Sequence, residues 1–266
     1  MTRPVITLTT DFAEDFFTGV MRGVILRINP DARVVDLVHA IDPGDLRAGA
    51  FALLAGCRYF PKGSIHVAVV DPGVGSSRKI LCAQTADYVF LAPDNGILSW
   101  ALTREKDVTI HSVEERKFFL ASVSSTFHGR DIFAPVAAHL SLGVKVADLG
   151  PEIAPDRIVR LEFPEPEPVE GGGLHGEILY VDRFGNCITN ITVEHVEGFD
   201  AARVRVEIGP VHLQGLKRSY ADGHPGTALA LIGSAGFLEV ATSGGNVAER
   251  FALHVGDPVV LTTASS

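Results

Sequence analysis

The first seventy residues alternate between short apolar runs and apolar residues at helical spacing. Val5–Thr10 and Arg33–Val38 are runs of mainly β-branched and aliphatic residues that predict strands, and residues 64–70 predict a third. Between them, apolar side chains recur on one helical face over Phe17–Ile28, and a second helix is expected with Asp42 as its N-cap. This β-α-β-α-β order predicts a mostly parallel sheet with helices on its faces and ligands beyond the carboxyl ends of its strands.

The next ninety residues continue this unit with shorter elements. Residues 80–85 and 88–91 predict a hairpin, and residues 108–112 predict one more strand. The helical pattern returns once, over residues 133–140, directly after the polar sequence His128-Gly129-Arg130-Asp131. That polar sequence is therefore expected at the start of a helix.

A change in composition divides the chain. Residues 162–170 alternate proline with glutamate, and three glycines follow at 171–173, which is typical of an extended spacer and a hinge. Beyond it, only short alternating runs separated by turn residues occur. We predict an N-terminal α/β domain over residues 1–163, a linker over 164–173, and a C-terminal all-β barrel domain over 174–266.

Composition and charge narrow the class of protein. Hydrophobic residues make up 46% of the chain, which is enough to build a core and excludes global disorder. The net charge of −9 and the lack of a Lys/Arg run argue against nucleic acid as a partner. No signal peptide and no apolar stretch of ~18 residues is present, so a membrane span is not expected. Widely spaced Cys57, Cys82 and Cys187 favour the reducing cytoplasm.

Four polar or glycine-rich sequences interrupt the apolar elements at predicted strand ends, and they are Thr10-Asp11-Phe12, residues 71–78, Pro93-Asp94-Asn95-Gly96 and residues 127–131. Asp11 and Asp71 both follow strands of the predicted parallel sheet, so their carboxylates are expected at one edge. A single Asp at such a place is more often a turn former. The glycines at 73 and 75 match neither a P-loop nor a dinucleotide fingerprint, and we expect them to turn the backbone so that Asp71 faces Arg78.

A metal site is the alternative interpretation of these residues. His128, Asp131, His139, Asp11 and Asp71 are possible ligands, since Asp and His clusters at strand ends build many hydrolase sites. No HExxH-type pair is present, and His139 is eleven positions from His128 and falls on another helical face. We therefore expect no metal and no cofactor. At the start of a helix, the helix dipole would lower the pKa of His128 and favour its neutral form.

One sequence in the C-terminal part combines aromatic and amide groups. Tyr180-Val181-Asp182-Arg183-Phe184-Gly185-Asn186 suits a purine site, because an aromatic ring stacks on the base and an amide bonds its edge. It suits a plain hairpin turn equally well.

Taken together, these sequences resemble the S-adenosylmethionine (SAM) hydrolases, also called SAM hydroxide adenosyltransferases, which are relatives of the halogenating SAM enzymes. The resemblance covers nearly the whole chain and rests, in family order, on TDF, VVDPGVGSSR, APDNG, FHGRDIFAPVAAHL, YVDRFGNCITNI and IGSAGFLEVA. Two departures occur. Ala13-Glu14-Asp15 follows TDF where the family usually has Gly, and Ser234-Ala235 stands where relatives carry Ser-Ser or Ser-Arg.

The resemblance implies a homotrimer with SAM held between the N-domain of one subunit and the C-domain of its neighbour. It implies that Asp71, Arg78 and His128 activate water as the catalytic residues. Asp11 would hold the ribose diol and Ser234 the methionine end. The substrate-binding residues it implies, including those for adenine and the APDNG segment, are Asp11, Asp94, Asn95, Phe184, Asn186, Tyr220 and Ser234.

The expected reaction is displacement at ribose C5′ by water, which converts SAM to adenosine and L-methionine. Neutral methionine is a good leaving group, so no general acid is needed, and SAM is a substrate rather than a cofactor. Two alternatives remain: a SAM-dependent halogenase, and a SAM- or nucleoside-binding sensor with little turnover.

Overall fold

The computed structural model describes residues 4–170 and 172–263. The chain divides into two compact units, Met1–Glu162 and Phe163–Ser266, and each is described by itself. The predicted linker over 164–173 stays a prediction, although Glu167–Pro168 within it forms a short strand of the second unit.

The first unit is built on a seven-stranded sheet in the order β2-β1-β3-β5-β4-β6-β7. Strands β1, β2, β3 and β5 are parallel neighbours, whereas the pairings of β4 with β5, of β4 with β6 and of β6 with β7 are antiparallel. Most strands therefore share one direction, as predicted. The strands are β1 (Val5–Thr10), β2 (Arg33–Val38), β3 (Ile65–Val69), β4 (Ile80–Gln84), β5 (Val89–Pro93), β6 (Thr109–Ser112) and β7 (Glu152–Ile153).

In the described part of the first unit, four α-helices accompany this sheet: α1 (Phe17–Ile28), α2 (Leu46–Gly56), α3 (Ser99–Leu102) and α4 (Ala134–Ser141). Helices α1 and α4 pack together, and the core beneath them includes Ile6 and Leu8 of β1 with Met21 and Phe133. These residues are fully buried, as the apolar run of β1 and the helical patterns predict.

The N-cap predicted for α2 is wrong. Asp45, not Asp42, caps this helix, and its Oδ1 accepts a hydrogen bond of 2.9 Å from the backbone N–H of Ala48. The reason is Gly44, whose φ of 76° lies outside the helical region, so the helix begins only after it. The backbone carbonyl of Asp42 instead accepts a turn hydrogen bond from the Asp45 N–H.

The second unit is a nine-stranded sheet that curls into a nearly closed barrel, as predicted. Its inward side chains, such as Val206, Leu238 and Leu261, form a separate core. One short helix, α5 (Val247–Phe251), makes the unit not wholly β, and its N-cap Asn246 accepts from the Glu249 N–H. The strands are β8 (Glu167–Pro168), β9 (Gly173–Val181), β10 (Cys187–Thr192), β11 (Val204–Ile208), β12 (Val211–Gln214), β13 (Leu216–Lys217), β14 (Ala228–Ile232), β15 (Phe237–Thr242) and β16 (Pro258–Thr263).

Within residues 4–170 and 172–263, no helix has the length and apolar character needed to cross a membrane.

Candidate active site

The carboxyl ends of β1 and β3 bring Asp11 and Asp71 to the same edge of the first sheet. The two strands are adjacent and parallel, with Thr10 paired with Val69. Asp11 Oδ2 accepts a hydrogen bond of 2.9 Å from the backbone N–H of Gly44, and Gly44 lies in turn against Pro72, the residue after Asp71. The predicted convergence of the two aspartates is therefore what the topology produces.

The segment from Asp71 to Arg78 folds back on itself in two turns, with Val74 N–H donating to the Asp71 carbonyl and Ser76 N–H donating to the Gly73 carbonyl. Gly75 has φ +78° and lies so close to the Ser125 carbonyl that a β-carbon would collide with it. Only glycine fits there. Of the two glycines expected to make this turn, Gly75 is thus the one with a positive φ.

These turns set Arg78 against Asp71 in a two-pronged ion pair. Arg78 Nε donates to Asp71 Oδ1 at 2.7 Å, and Arg78 Nη2 donates to Asp71 Oδ2. The two side chains are only 9% and 4% exposed, and the guanidinium lies 5.9 Å from the centre of the Phe133 ring. A fork of this kind fixes the orientation of the guanidinium as well as its charge.

His128 completes the cluster, because Arg78 Nη2 lies 3.0 Å from His128 Nδ1. A guanidinium only donates, so His128 Nδ1 is the acceptor and the neutral ring carries its proton on Nε2. Burial, and then the charge of Arg78, lower the pKa of His128, while Asp71 opposes this shift. The neutral form expected from the sequence is thus favoured, but chiefly by burial rather than by a helix dipole.

The loop before His128 is held by a second ion pair. Arg130 Nε donates to Asp131 Oδ1 at 2.6 Å, and Asp131 Oδ2 accepts from the Ser124 N–H at 2.8 Å. Burial alone would raise the pKa of Asp131, but the Arg130 and Ser124 hydrogen bonds lower it overall. His128 itself precedes a π-helical turn, Gly129–Phe133, that leads into α4.

The metal candidates do not form a cluster. Asp131 is occupied by Arg130 and Ser124, and His139 packs against Phe118 with ring centres 5.3 Å apart. Among the described residues, no group of three or more His, Cys, Asp or Glu side chains is placed to hold a metal ion.

Asp94 and Asn95 support the same edge of the sheet through backbone contacts. Asn95 Nδ2 donates to the Val70 carbonyl at 2.9 Å, and its Oδ1 accepts from the Ile97 N–H at 3.2 Å. Asp94 Oδ1 accepts from the Val159 N–H at 2.8 Å. Both side chains hold loops around the end of β3, and their predicted substrate contacts stay a prediction.

In the second unit, Asn186 and Phe184 lie on a hairpin turn organised by Asp182. Asp182 Oδ1 accepts from the backbone N–H groups of Phe184 and Asn186, and Asp182 Oδ2 accepts from Asn186 Nδ2 at 3.0 Å. Phe184 is 77% exposed, whereas Asn186 is buried. The turn thus forms as the plain interpretation predicts, and it leaves an aromatic ring available beside a fixed amide.

Tyr220 and Ser234 approach this turn through Glu239, a residue that sequence analysis did not single out. Tyr220 Oη donates to Glu239 Oε1 at 2.5 Å, and the Glu239 carboxylate lies against Gly233, next to Ser234. Burial and the nearby Asp182 raise the pKa of Glu239, while the Tyr220 hydrogen bond opposes them. A glutamate flanked by the apolar residues Leu238 and Val240 of strand β15 was the available signal.

The sequence model of the SAM hydroxide adenosyltransferase N-terminal domain matches residues 6–150, and that of the C-terminal domain matches residues 176–260. The chain belongs to the SAM hydroxide adenosyltransferase family. Its resemblance to this family, inferred above from six short sequences, is confirmed.

Curated members of the family match this chain along its whole length. A protein of Salinispora arenicola named (R)-S-adenosyl-L-methionine hydrolase is 40% identical over 97% of this chain and 98% of its own. One of Thermus thermophilus with the same name is 38% identical over 97% and 99%. A fluorinase of Actinoplanes is more distant, at 27% identity over 98% of both chains.

Solved structures agree with the family fold. The crystal structure of a conserved protein from Thermotoga maritima has a TM-score of 0.90 and 34% identity, covering 97% of this chain and 99% of that one. The crystal structure of a conserved protein from Thermus thermophilus has a TM-score of 0.78 and 35% identity, covering 98% of this chain and all of that one (100%).

Proposed function

We propose that this SAM hydroxide adenosyltransferase hydrolyses SAM to adenosine and L-methionine. The observation that carries the proposal is the buried network of Asp71, Arg78 and His128 at the carboxyl edge of the parallel strands. The full-length relatives named as hydrolases support it, and their names specify the (R) form of SAM as the substrate.

The network suits the activation of a water molecule. The water oxygen attacks C5′ of the ribose, the C5′–S bond breaks, its electron pair remains on sulfur, and one proton is released to solvent. Arg78 stays charged and cannot act as a base, so its role is to favour negative charge on the attacking oxygen. Asp71 fixes the guanidinium, and the neutral ring of His128 fixes its other edge. Groups oriented before the reaction need no rearrangement during it.

Substrate binding is assigned to both units. Asp11 holds the ribose diol, Asn186 with Phe184 and Tyr220 receives adenine, and the turn at Ser234 meets the methionine end. We propose a homotrimer in which these residues come from neighbouring subunits, and light scattering of the active protein tests it. A fully active monomer would refute the trimer.

The protein is further proposed to act in the cytoplasm and to need no metal or other cofactor. Cys57, Cys82 and Cys187 are all buried free thiols, and burial raises the pKa of Cys57 to about 11. Unreactive thiols of this kind suit a reducing compartment.

A halogenase is the second candidate, because fluorinases are among the relatives. Incubation with each epimer of SAM, in buffers with and without halide and with a chelator present, separates the candidates. Chromatography should show adenosine in every buffer and no 5′-halo-nucleoside. A product that requires halide would favour the halogenase, and tight binding without any product would favour a sensor.

A further inference from the structure

The segment around Asp11 is held by His39 from both sides. His39 Nδ1 lies 2.8 Å from Thr10 Oγ1, and the His39 carbonyl accepts a hydrogen bond of 2.8 Å from the Ala13 N–H. Thr10 Oγ1 in turn accepts from the Phe12 N–H at 3.3 Å. The residues on both sides of Asp11 are therefore tied to one side chain and one carbonyl at the end of β2.

The direction of these hydrogen bonds follows from the surroundings of the second ring nitrogen of His39, Nε2. His39 Nε2 lies 2.9 Å from Asp36 Oδ1, and Asp36 also pairs with Arg22. This contact lacks the alignment of a hydrogen bond. A nitrogen lone pair so close to a carboxylate oxygen would nevertheless be repelled by it, so we assign the proton to Nε2 and the acceptor role to Nδ1. Burial, and then the charge of Arg22, lower the pKa of His39, which favours this neutral ring. Thr10 Oγ1–H therefore donates to His39 Nδ1, which leaves a lone pair of the hydroxyl for the Phe12 N–H.

The backbone after Asp11 needs this support. Ala13 has φ +52°, a left-handed conformation that costs a residue with a β-carbon about 1 kcal/mol or more. The hydrogen bond from Ala13 to the His39 carbonyl holds that conformation. Asp11 thus leaves the strand at a turn that the sheet edge fixes.

We propose that His39, acting through Thr10, is a positioning residue that aims the Asp11 carboxylate at the ribose diol of the substrate. This inference rests on the proposed function, which gives Asp11 that ligand. Thr10 is fully buried and cannot touch substrate. Its hydroxyl therefore acts on recognition only through the backbone of Asp11 and Phe12.

The neighbouring Thr9 supplies a matched control. It lies on the same strand and is equally buried, yet within the described part of the chain its hydroxyl has no hydrogen-bond partner. Thr9→Val and Thr10→Val therefore make the same chemical change at adjacent buried sites, and only the second removes the contact with His39. Thr10→Ser keeps the hydroxyl, and His39→Asn puts an amide oxygen in the place of Nδ1. His39→Gln, in contrast, moves its amide away from Thr10.

The test measures how strongly the protein prefers adenosine to 2′,3′-dideoxyadenosine, using calorimetry with each nucleoside. We expect Thr10→Val and His39→Gln to lose about tenfold of the parent preference, as the loss of a buried hydrogen bond predicts, with little change for the dideoxy compound. Thr9→Val, Thr10→Ser and His39→Asn should keep it. An unchanged preference in Thr10→Val and His39→Gln would overturn the proposal.

A second measurement separates this inference from the proposed function. Hydrogen–deuterium exchange of the peptide spanning residues 9–16 should be faster in Thr10→Val than in Thr9→Val. Equal exchange in the two variants would refute the positioning role of the contact between His39 and Thr10. A parent protein with no preference for the diol, but with the expected difference in exchange, would instead refute the assignment of Asp11 to ribose.

Discussion

Replacing His128 tests the activation of water without removing either partner of the ion pair between Arg78 and Asp71. His128 accepts one hydrogen bond from a charged donor, Arg78 Nη2, at 3.0 Å. Such a bond contributes about 1.5–3 kcal/mol. His128→Ala removes it together with the ring, whereas the side-chain oxygen of His128→Asn can still accept from Arg78.

We expect His128→Ala to lower kcat by about 10²–10⁴, the usual loss for a positioned acid–base or orienting group. At 1.36 kcal/mol for each tenfold step, this raises the barrier by about 2.7–5.4 kcal/mol. SAM affinity should change little, because the contact acts on the attacking water rather than on the bound substrate. His128→Asn should retain at least about tenfold more activity than His128→Ala, because a hydrogen bond from Arg78 survives.

The same mechanism predicts the direction in which activity changes with pH. Protonated His128 cannot accept from Arg78, so activity should fall as the pH drops through a pKa that burial and Arg78 place below the usual 6.5. Single-turnover kinetics across pH should show this acid limb in the parent and lose it in His128→Asn. His139→Asn is the control, since burial also lowers the pKa of His139 but its ring packs on Phe118. The mechanism is wrong if His128→Ala turns SAM over at the parent rate.

Three further changes test the remaining parts of the site and the fold. Arg78→Ala should lower kcat and also the free energy of unfolding, by about 3–5 kcal/mol in a denaturant titration, because it leaves Asp71 buried without its partner; unchanged stability would contradict the buried pair. Asp11→Ala should weaken SAM binding as well as turnover, since a ribose contact acts in both ground and transition states, and calorimetry with intact affinity would argue against it. Burial lowers the pKa of His66 to about 4. Between pH 6.5 and 4 the unfolded chain therefore binds more protons than the folded protein. The free energy of unfolding should decrease by up to about 3 kcal/mol as the pH is lowered from 6.5 to 4. His66→Phe, packed among Tyr88 and Phe90, should flatten this slope, and an equally steep slope would refute the assignment.

Local patterns predicted the first unit closely because its elements carry uniform apolar faces. The bounds of β1, β2 and α1 match the sequence prediction residue for residue. The start of α2 was misplaced because the conformation of Gly44, rather than the preference of Asp42, decides where the helix begins. The polar sequences at strand ends were found because topology alone brings them to one edge.

The bounds of strand β10 do not follow from a local pattern, because its polar residues are satisfied by distant partners. Thr189 Oγ1 donates to the Leu238 carbonyl, and Asn190 Oδ1 accepts from the Glu177 N–H. Both residues are buried, although Asn favours turns.

Long-range pairs within the site were equally invisible. The contact of Tyr220 with Glu239 joins residues 19 positions apart, and that of Asn95 with the Val70 carbonyl joins residues 25 positions apart. No local pattern encodes either contact. Glu239 nevertheless stands between apolar residues of β15, and a buried carboxylate needs a hydrogen-bond or charge partner. That requirement was the one local clue.

Hydrolysis of SAM in water enriched in ¹⁸O, without halide, tests the central proposal most directly. Attack by water at C5′ predicts adenosine carrying one ¹⁸O at its 5′-hydroxyl, together with unlabelled L-methionine, in the parent, and little of either product in His128→Ala. Adenosine without the label, or free adenine in place of adenosine, would contradict displacement by water at C5′.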